Sequence, residues 1–385
     1  MRTTLLSKAS TLTLHMSIPT RASRHSTKLL YALLACVGIG VLCGVFFYLP
    51  KVGAVSYGSG SATQTKKPPK VVPLNTLEYD TRLLALAHVA TSSPWHAAFL
   101  QGTTSASTTE PKPLWPVRKA YPNVGALLPF NRIVAYYGNF YSKQMGVLGE
   151  YPEEVVLQKL QAEVDAWEAA DPTTPVVPAI EYIDVTAQGS AGKDGKYRLR
   201  MPDTQIDKAI AMAATINAIV ILDIQVGLSS VEEELPLLKD YLALPQVHLA
   251  IDPEFDMQGN TPPGRVIGTT DAATINNAAQ YLAALVREHN LPPKILLLHR
   301  FTEDMITGYK QITPLPEVQI IVQMDGWGSP QRKIGTYRHV IYPEPVQFTG
   351  LKIFYKNDLK EIPSRLLTMQ EVLNLTPAPS FIQYQ

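Results

Sequence analysis

Asp252-Pro253-Glu254 follows directly on the apolar run Val247–Ile251. In an extended chain, residues two apart share a face and lie roughly 6.5–7 Å from each other along the strand. Two carboxyls on one face resist simultaneous ionisation, so one keeps its proton near neutral pH. A protonated acid beside a carboxylate is the pair needed to cleave a glycosidic bond. Asp223-Ile224-Gln225 repeats the spacing after another apolar run. Further runs end in Tyr136-Tyr137, Glu181-Tyr182, His299-Arg300, Gln323-Met324-Asp325 and Tyr355. A single acid at a strand end has an ordinary structural use, such as capping the next helix. Five consecutive runs ending in charged or amide groups point instead to one shared mouth. Glu254, Asp252, Asp223 and Glu181 are the candidate acid, base, nucleophile or substrate-orienting groups. Asp325 is the further acid of the set.

The groups expected to hold substrate are Tyr137, Gln225, His299, Gln323, Trp327 and Tyr355. Sugar rings stack on aromatic faces. Trp327 is the best placed for stacking, because Asp325-Gly-Trp-Gly frames it with glycines that keep a loop open. His299 with Asp223, Asp252 and Asp325 could make a divalent-metal site. No HxH or HExxH spacing supports one, so no metal and no cofactor are expected. A G-x-S-x-G nucleophile elbow is also missing. Cys36 and Cys43 are the only cysteines among 385 residues, which excludes a thiolate zinc site in the globular part.

These residues need elements that bring them together. Seven short apolar runs read as strands: Ile133–Gly138, Val176–Asp184, Ala218–Val226, Val247–Phe255, Ile295–Phe301, Val318–Asp325 and Leu351–Lys356. They are near-continuous in apolar residues, as strands buried on both faces are. Helical periodicity fills Pro152 to Ala170, Pro202 to Asn217, Val231 to Ala243 and Asp271 to Asn290. Strands alternating with helices predict βαβ units and an α/β fold. Over about 265 residues this fits a (β/α)8 TIM-type barrel, whose active sites lie at the C-terminal strand ends. Arg338–Tyr342 is the candidate eighth strand. A doubly wound open sheet is the alternative, but no Gly-rich phosphate loop follows any strand.

The N-terminal region has a different character. Residues 1–77 carry nine Lys and Arg and no acid before Glu78. Leu29–Leu49 is uncharged and long enough to cross roughly 30 Å of hydrocarbon as a helix. The positive-inside rule then keeps residues 1–28 cytoplasmic and exports the remainder. A cleaved leader, with Val52-Gly53-Ala54 as processing site, is the competing reading. Residues 50–120 have largely linker composition, with a short helix in Leu77 to Leu100. The barrel domain is expected at 121–385. A formal net charge of +1 gives no reason to invoke nucleic acid.

Asp-x-Glu at the end of a central strand resembles the signature of glycoside hydrolase family 25, and more loosely that of the chitinase-like barrels. The resemblance implies that Glu254 is the general acid and that Asp252 orients the substrate or stabilises charge. It also implies that Asp325 fills the late-strand acid role. The first strand departs from that pattern, ending in tyrosines rather than an acid. Separately, YYGNFYSKQMGVLGEYP, VPAIEYIDVTAQGSAGKDGKYRLRMPD, LDIQVG and IDPEF resemble a family of exported bacterial proteins with no assigned activity. The expectation is an extracytoplasmic, membrane-anchored hydrolase acting on a cell-wall or other glycan. Its rivals are a non-catalytic barrel that tethers glycan to the membrane, and a metal-dependent hydrolase.

Overall fold

The structure, a computed structural model, describes residues 73–385. Eight parallel strands run through it: β1 Arg132–Gly138, β2 Val176–Ala187, β3 Ile219–Ile224, β4 Val247–Ile251, β5 Lys294–Arg300, β6 Val318–Met324, β7 Phe348–Ile353 and β8 Phe381–Tyr384. Each pairs with the next in sequence, and β8 pairs back onto β1, opposite Ile133 to Tyr136. The sheet is therefore a closed barrel and not an open doubly wound sheet. A short antiparallel strand, Arg198–Arg200, adds to β2 at Val185–Ala187.

Alternation along each strand separates two cores. Ala135, Ala179, Ile221, Leu297 and Ile321 fill the barrel interior. Val134, Tyr136 and Ile180 face outward onto helices. The helix Glu153–Ala170 shows how the outer layer forms. Its buried residues Val156, Leu160, Val164 and Trp167 recur every three or four positions and make one apolar face. Glu153 and Glu154 sit in its first turn, where the helix dipole favours acids. The helix Ala272–His289 opens on Asp271, whose side chain accepts from Thr274 N at 2.8 Å, and closes on left-handed Asn290.

Several expectations are corrected. Arg338–Tyr342 is not a strand, because Tyr337–Ile341 continues the helix Pro330–Thr336 as a π-helical turn. The eighth strand is Phe381–Tyr384. The strand expected to reach Phe255 stops at Ile251, because Pro253 has no N–H for a ladder and opens a 3₁₀ turn over Pro253–Phe255. The segment expected as linker up to residue 120 packs onto the barrel. Helix α1, Thr76–Leu86, buries Tyr79 and Leu83 against the interior residues Ile133, Ile295 and Phe348. Buried Trp115 donates its indole N–H to Tyr342 O at 2.9 Å. The expected membrane span Leu29–Leu49 lies outside the described residues. Among those described, no helix is long and apolar enough to cross a membrane.

Candidate active site at the barrel mouth

Near their C-terminal ends the inward positions change from apolar to polar. Tyr137, Glu181, Asp223 and Asp252 come from the first four strands or just beyond them. His299, Gln323, Lys352 and Gln383 come from the other four. They form two tiers.

The lower tier is sealed from solvent and centred on His299. Its Nδ1 lies 3.0 Å from Asp325 Oδ2 and its Nε2 lies 3.1 Å from Glu181 Oε1, across the barrel. Asp223 Oδ1 is 3.8 Å from the same Nε2. Burial by itself would depress the imidazole, but the hydrogen bonds to Asp325 and Glu181, with the Asp223 and Asp252 charges, hold its pKa well above the usual value. His299 is therefore an imidazolium shared between two acids. Gln383 donates to Glu181 Oε2 and accepts from Gln323 Nε2. Tyr137 donates its hydroxyl to Asp223 Oδ2 at 3.0 Å. Burial raises Asp223 to about 6, against the His299 charge.

The upper tier lines a cleft of about 630 Å³, where Tyr137, Gln225, Asp252, Glu254, Asp325 and Lys352 meet. Phe255, Phe301, Trp327 and Phe354 supply apolar wall. Asp252 caps the turn that carries Glu254: its Oδ1 accepts from Glu254 N at 3.1 Å and its Oδ2 accepts from Gln225 Nε2 at 3.3 Å. The two carboxyls are thus neighbours through a tight turn, not through the alternation of a strand. Burial, then the Asp325 charge, push Glu254 up to about 7. Asp252 is raised well above its usual value by burial, with Asp223 and Asp325 adding to it. Asp325 goes the other way. Burial would raise it, but the His299 hydrogen bond and the Lys352 charge hold it below the usual range. The cleft therefore brings together carboxyls whose protonated form is favoured and one whose ionised form is favoured.

Two glycine-containing loops shape the rim. At Gly146, φ is +144° and a Cβ would fall 2.2 Å from Tyr137 O, so the loop after β1 can fold back and bring Gln144 and Met145 to the cleft. The Asp325-Gly-Trp-Gly loop is clamped from below. Buried Lys333 donates to Gly326 O at 2.9 Å and pairs with buried Asp358 at 3.0 Å. Asp358 also accepts from Gly328 N and Phe354 N. Trp327 is 44% exposed, with Arg332 and Lys360 over its ring at 5.5 and 5.8 Å. A sugar stacking there shares the ring with one of these cations or displaces it.

The structure divides the expected site residues. Glu254, Asp252, Asp325, Tyr137, Gln225 and Trp327 meet in the cleft. Glu181, Asp223, His299 and Gln323 lie beneath it, fully buried, and cannot touch a ligand in the cleft. Tyr355 is misplaced by the sequence reading. It lies past the end of β7 on the outer side, stacked on Tyr384 and hydrogen-bonded to Glu163 and Tyr136. Lys352, Arg332 and Gln383 were missed. Lys352 left a signal, a lone cation inside the apolar run Leu351–Phe354. Gln383 left none, because FIQYQ reads as a tail.

Glu181, Asp223 and His299 offer ligand atoms within 4.8 Å of one another, the geometry of a metal site. Both ring nitrogens of His299 already face carboxylates, and two of the carboxylate oxygens hold Tyr137 and Gln383. A metal ion would have to replace the Glu181–His299 hydrogen bond. As built, the donor set fits a hydrogen-bonded hub better than a coordination sphere.

The fold and site define an eight-stranded parallel β/α barrel with a carboxyl-lined cleft at its C-terminal mouth. No family model matches the chain, and no curated protein matches it in sequence. Solved structures that resemble it are β/α barrels at low identity. A GH5-4 broad-specificity endoglucanase from an uncultured bovine rumen ciliate is 11% identical, over 54% of this chain and 72% of that one, with a TM-score of 0.31. The mannanase Man26 from Bacillus subtilis is 12% identical, over 66% and 79%, with a TM-score of 0.35. A sugar phosphate isomerase/epimerase from Parabacteroides distasonis is 9% identical, over 68% and 88%, with a TM-score of 0.29. Likeness at this level assigns no residue a role, and it includes more than one chemistry.

Proposed function

We propose that this protein is a membrane-anchored, extracytoplasmic glycoside hydrolase acting on a cell-wall or other glycan. The observation that carries the reading is that Glu254 and Asp325 line one cleft in opposite surroundings: burial and the Asp325 charge favour the protonated form of Glu254, up to about 7, and the His299 hydrogen bond and Lys352 charge favour the ionised form of Asp325. Glu254 gives its proton to the departing glycosidic oxygen. The Asp325 carboxylate, fixed by His299, stabilises or attacks the sugar carbon, or activates the water that does. Asp252 positions Glu254 through the 3₁₀ turn. Glu181 and Asp223 hold His299, and Asp223 also holds the Tyr137 hydroxyl, so both act on the cleft through these neighbours. The anchor is Leu29–Leu49, with residues 1–28 on the cytoplasmic side.

The test is release of reducing ends by the full-length protein from peptidoglycan, chito-, cello- and manno-oligosaccharides. Glu254→Gln should cut release by orders of magnitude while leaving the unfolding transition in place. Asp325→Asn should cut it too and also lower the unfolding transition, because buried His299 and Lys352 lose their carboxylate. A wild-type protein that binds these glycans tightly but never cleaves them would replace the hydrolase with a glycan-binding barrel.

A further inference from the structure

Lys352 lies on the floor of the cleft and is 4% exposed. A lysine that buried is normally paired. Here Nζ makes no hydrogen bond among the described residues. The carboxylate oxygen within 4 Å is Asp325 Oδ2, at 3.8 Å. That oxygen already takes the His299 Nδ1 contact at 3.0 Å. The ammonium also lies over the Tyr137 ring at 3.8 Å and 5.1 Å from the Phe354 ring, within Coulomb range of Asp223 and Glu254. Ring faces steady a cation without using its N–H groups. The hydrogen-bonding capacity of this ammonium is thus unused by the described residues, and it lines the cleft with a partly desolvated positive charge. The other cation in the lining, Arg332, differs in that it pairs with Glu361 at the rim.

Water alone satisfies such a group poorly in an aromatic-walled floor. An anionic oxygen satisfies it fully, because charge-assisted hydrogen bonds are the stronger kind. Of the neighbouring carboxyls, a protonated Asp252 or Glu254 donates to an incoming carboxylate, and the charge of ionised Asp325 is already countered by His299.

We propose that Lys352 binds the carboxylate of an acidic sugar, so that the glycan recognised in this cleft is a carboxylated one. The inference rests on the glycan reading above and narrows it. Carboxylated sugars occur as uronic acids and as lactyl ethers of amino sugars, and one carboxylate-to-ammonium contact serves both.

The test is calorimetric binding by the full-length protein carrying Glu254→Gln, so that ligand is not consumed. The acidic panel is oligogalacturonate, oligomannuronate, hyaluronan fragments and muramic-acid-containing glycan fragments freed of their stem peptide, so that the lactyl carboxylate is unsubstituted. The neutral panel is cello-, manno- and chito-oligosaccharides. At least one acidic ligand should bind tenfold or more tighter than every neutral one, and raising the salt should erode that margin. Adding Lys352→Met should erase the margin, and Lys352→Arg should keep much of it. An unfolding transition within a few degrees of the parent shows that the Met variant is folded. Preference for uronates over muramic acid, or the reverse, identifies the source of the carboxylate. Equal binding of acidic and neutral ligands overturns the inference and leaves the glycan reading standing. So does a margin that survives Lys352→Met. Binding of neither panel overturns the glycan reading itself.

Discussion

Glu254 sits where burial and the Asp325 charge favour its neutral form, and this fixes the sign of the pH dependence. The donor must hold its proton, so kcat/KM should be full below about 7 and decline as pH rises through that value. Asp325 must be ionised, and its lowered pKa keeps the acid limb below the ordinary carboxylate range. Replacing Glu254 by Gln should cut kcat by about 10²–10⁴-fold and remove the alkaline limb. If that limb persists in the variant, the proton comes from elsewhere. His299 gives a second prediction. His299→Ala leaves Glu181 and Asp325 buried without their shared cation, a change that costs about 3–5 kcal/mol when one partner of a buried pair is removed. Urea unfolding followed by circular dichroism should show it. The hub reading also expects chelator treatment to leave the unfolding midpoint unchanged. A midpoint that drops with chelator and recovers with a divalent ion would place a metal at Glu181, Asp223 and His299.

At the scale of elements, the cleft depends on loops held from beneath. Asp358 ties Gly328, Phe354 and Lys333 together under the Trp327 loop. Asp358→Ala should cost about 3–5 kcal/mol, because burial already pushes Lys333 down to about 8 and the pair is its main compensation. Trp327 fluorescence should shift with it, and KM should rise more than kcat falls. A variant with native stability and unchanged emission would show the clamp to be incidental. The strands were legible because inner and outer layers are both apolar, so β2 to β6 appear as unbroken runs. β8 was not, since its four residues FIQY follow a short helix and loops with no βαβ rhythm to announce them. Arg338–Tyr342 misled because His339-Val340-Ile341-Tyr342 has strand composition but continues an existing helix. The acids at strand ends were legible as a group. Their two tiers were not, because a tier depends on shear and register, which no local spacing records. Asp252 and Glu254 were expected to share a face by strand alternation, whereas Pro253 turns the chain there and Asp252 caps that turn.

For the whole molecule, the boundary of the compact unit carries the consequence. Composition placed it at Tyr121, because residues 101–118 are rich in Thr, Ser and Pro. Composition does not reveal that the open N-terminal end of a barrel needs a cover. Tyr79 and Leu83 of α1 provide one, with Phe99 packed beside them. Each such side chain contributes about 1.5–3 kcal/mol when fully buried. A chain beginning at residue 121 should therefore lose about 3–6 kcal/mol relative to one beginning at residue 73, and expose the lower barrel core to water. It should bind a hydrophobic dye, aggregate on heating and unfold at lower urea, although every residue of the cleft is retained. Equal stability of the two chains would mean that residues 73–120 merely rest on the barrel. The same comparison bears on the anchor. With α1 part of the folded unit, Leu29–Leu49 is separated from it by fewer than thirty residues, counting from Pro50 to Asn75. Full-length protein should then remain with membranes after alkaline carbonate washing, and a chain beginning at residue 73 should be released in folded form. A full-length protein washed off by carbonate would remove the anchor from the proposal and leave the barrel chemistry untouched.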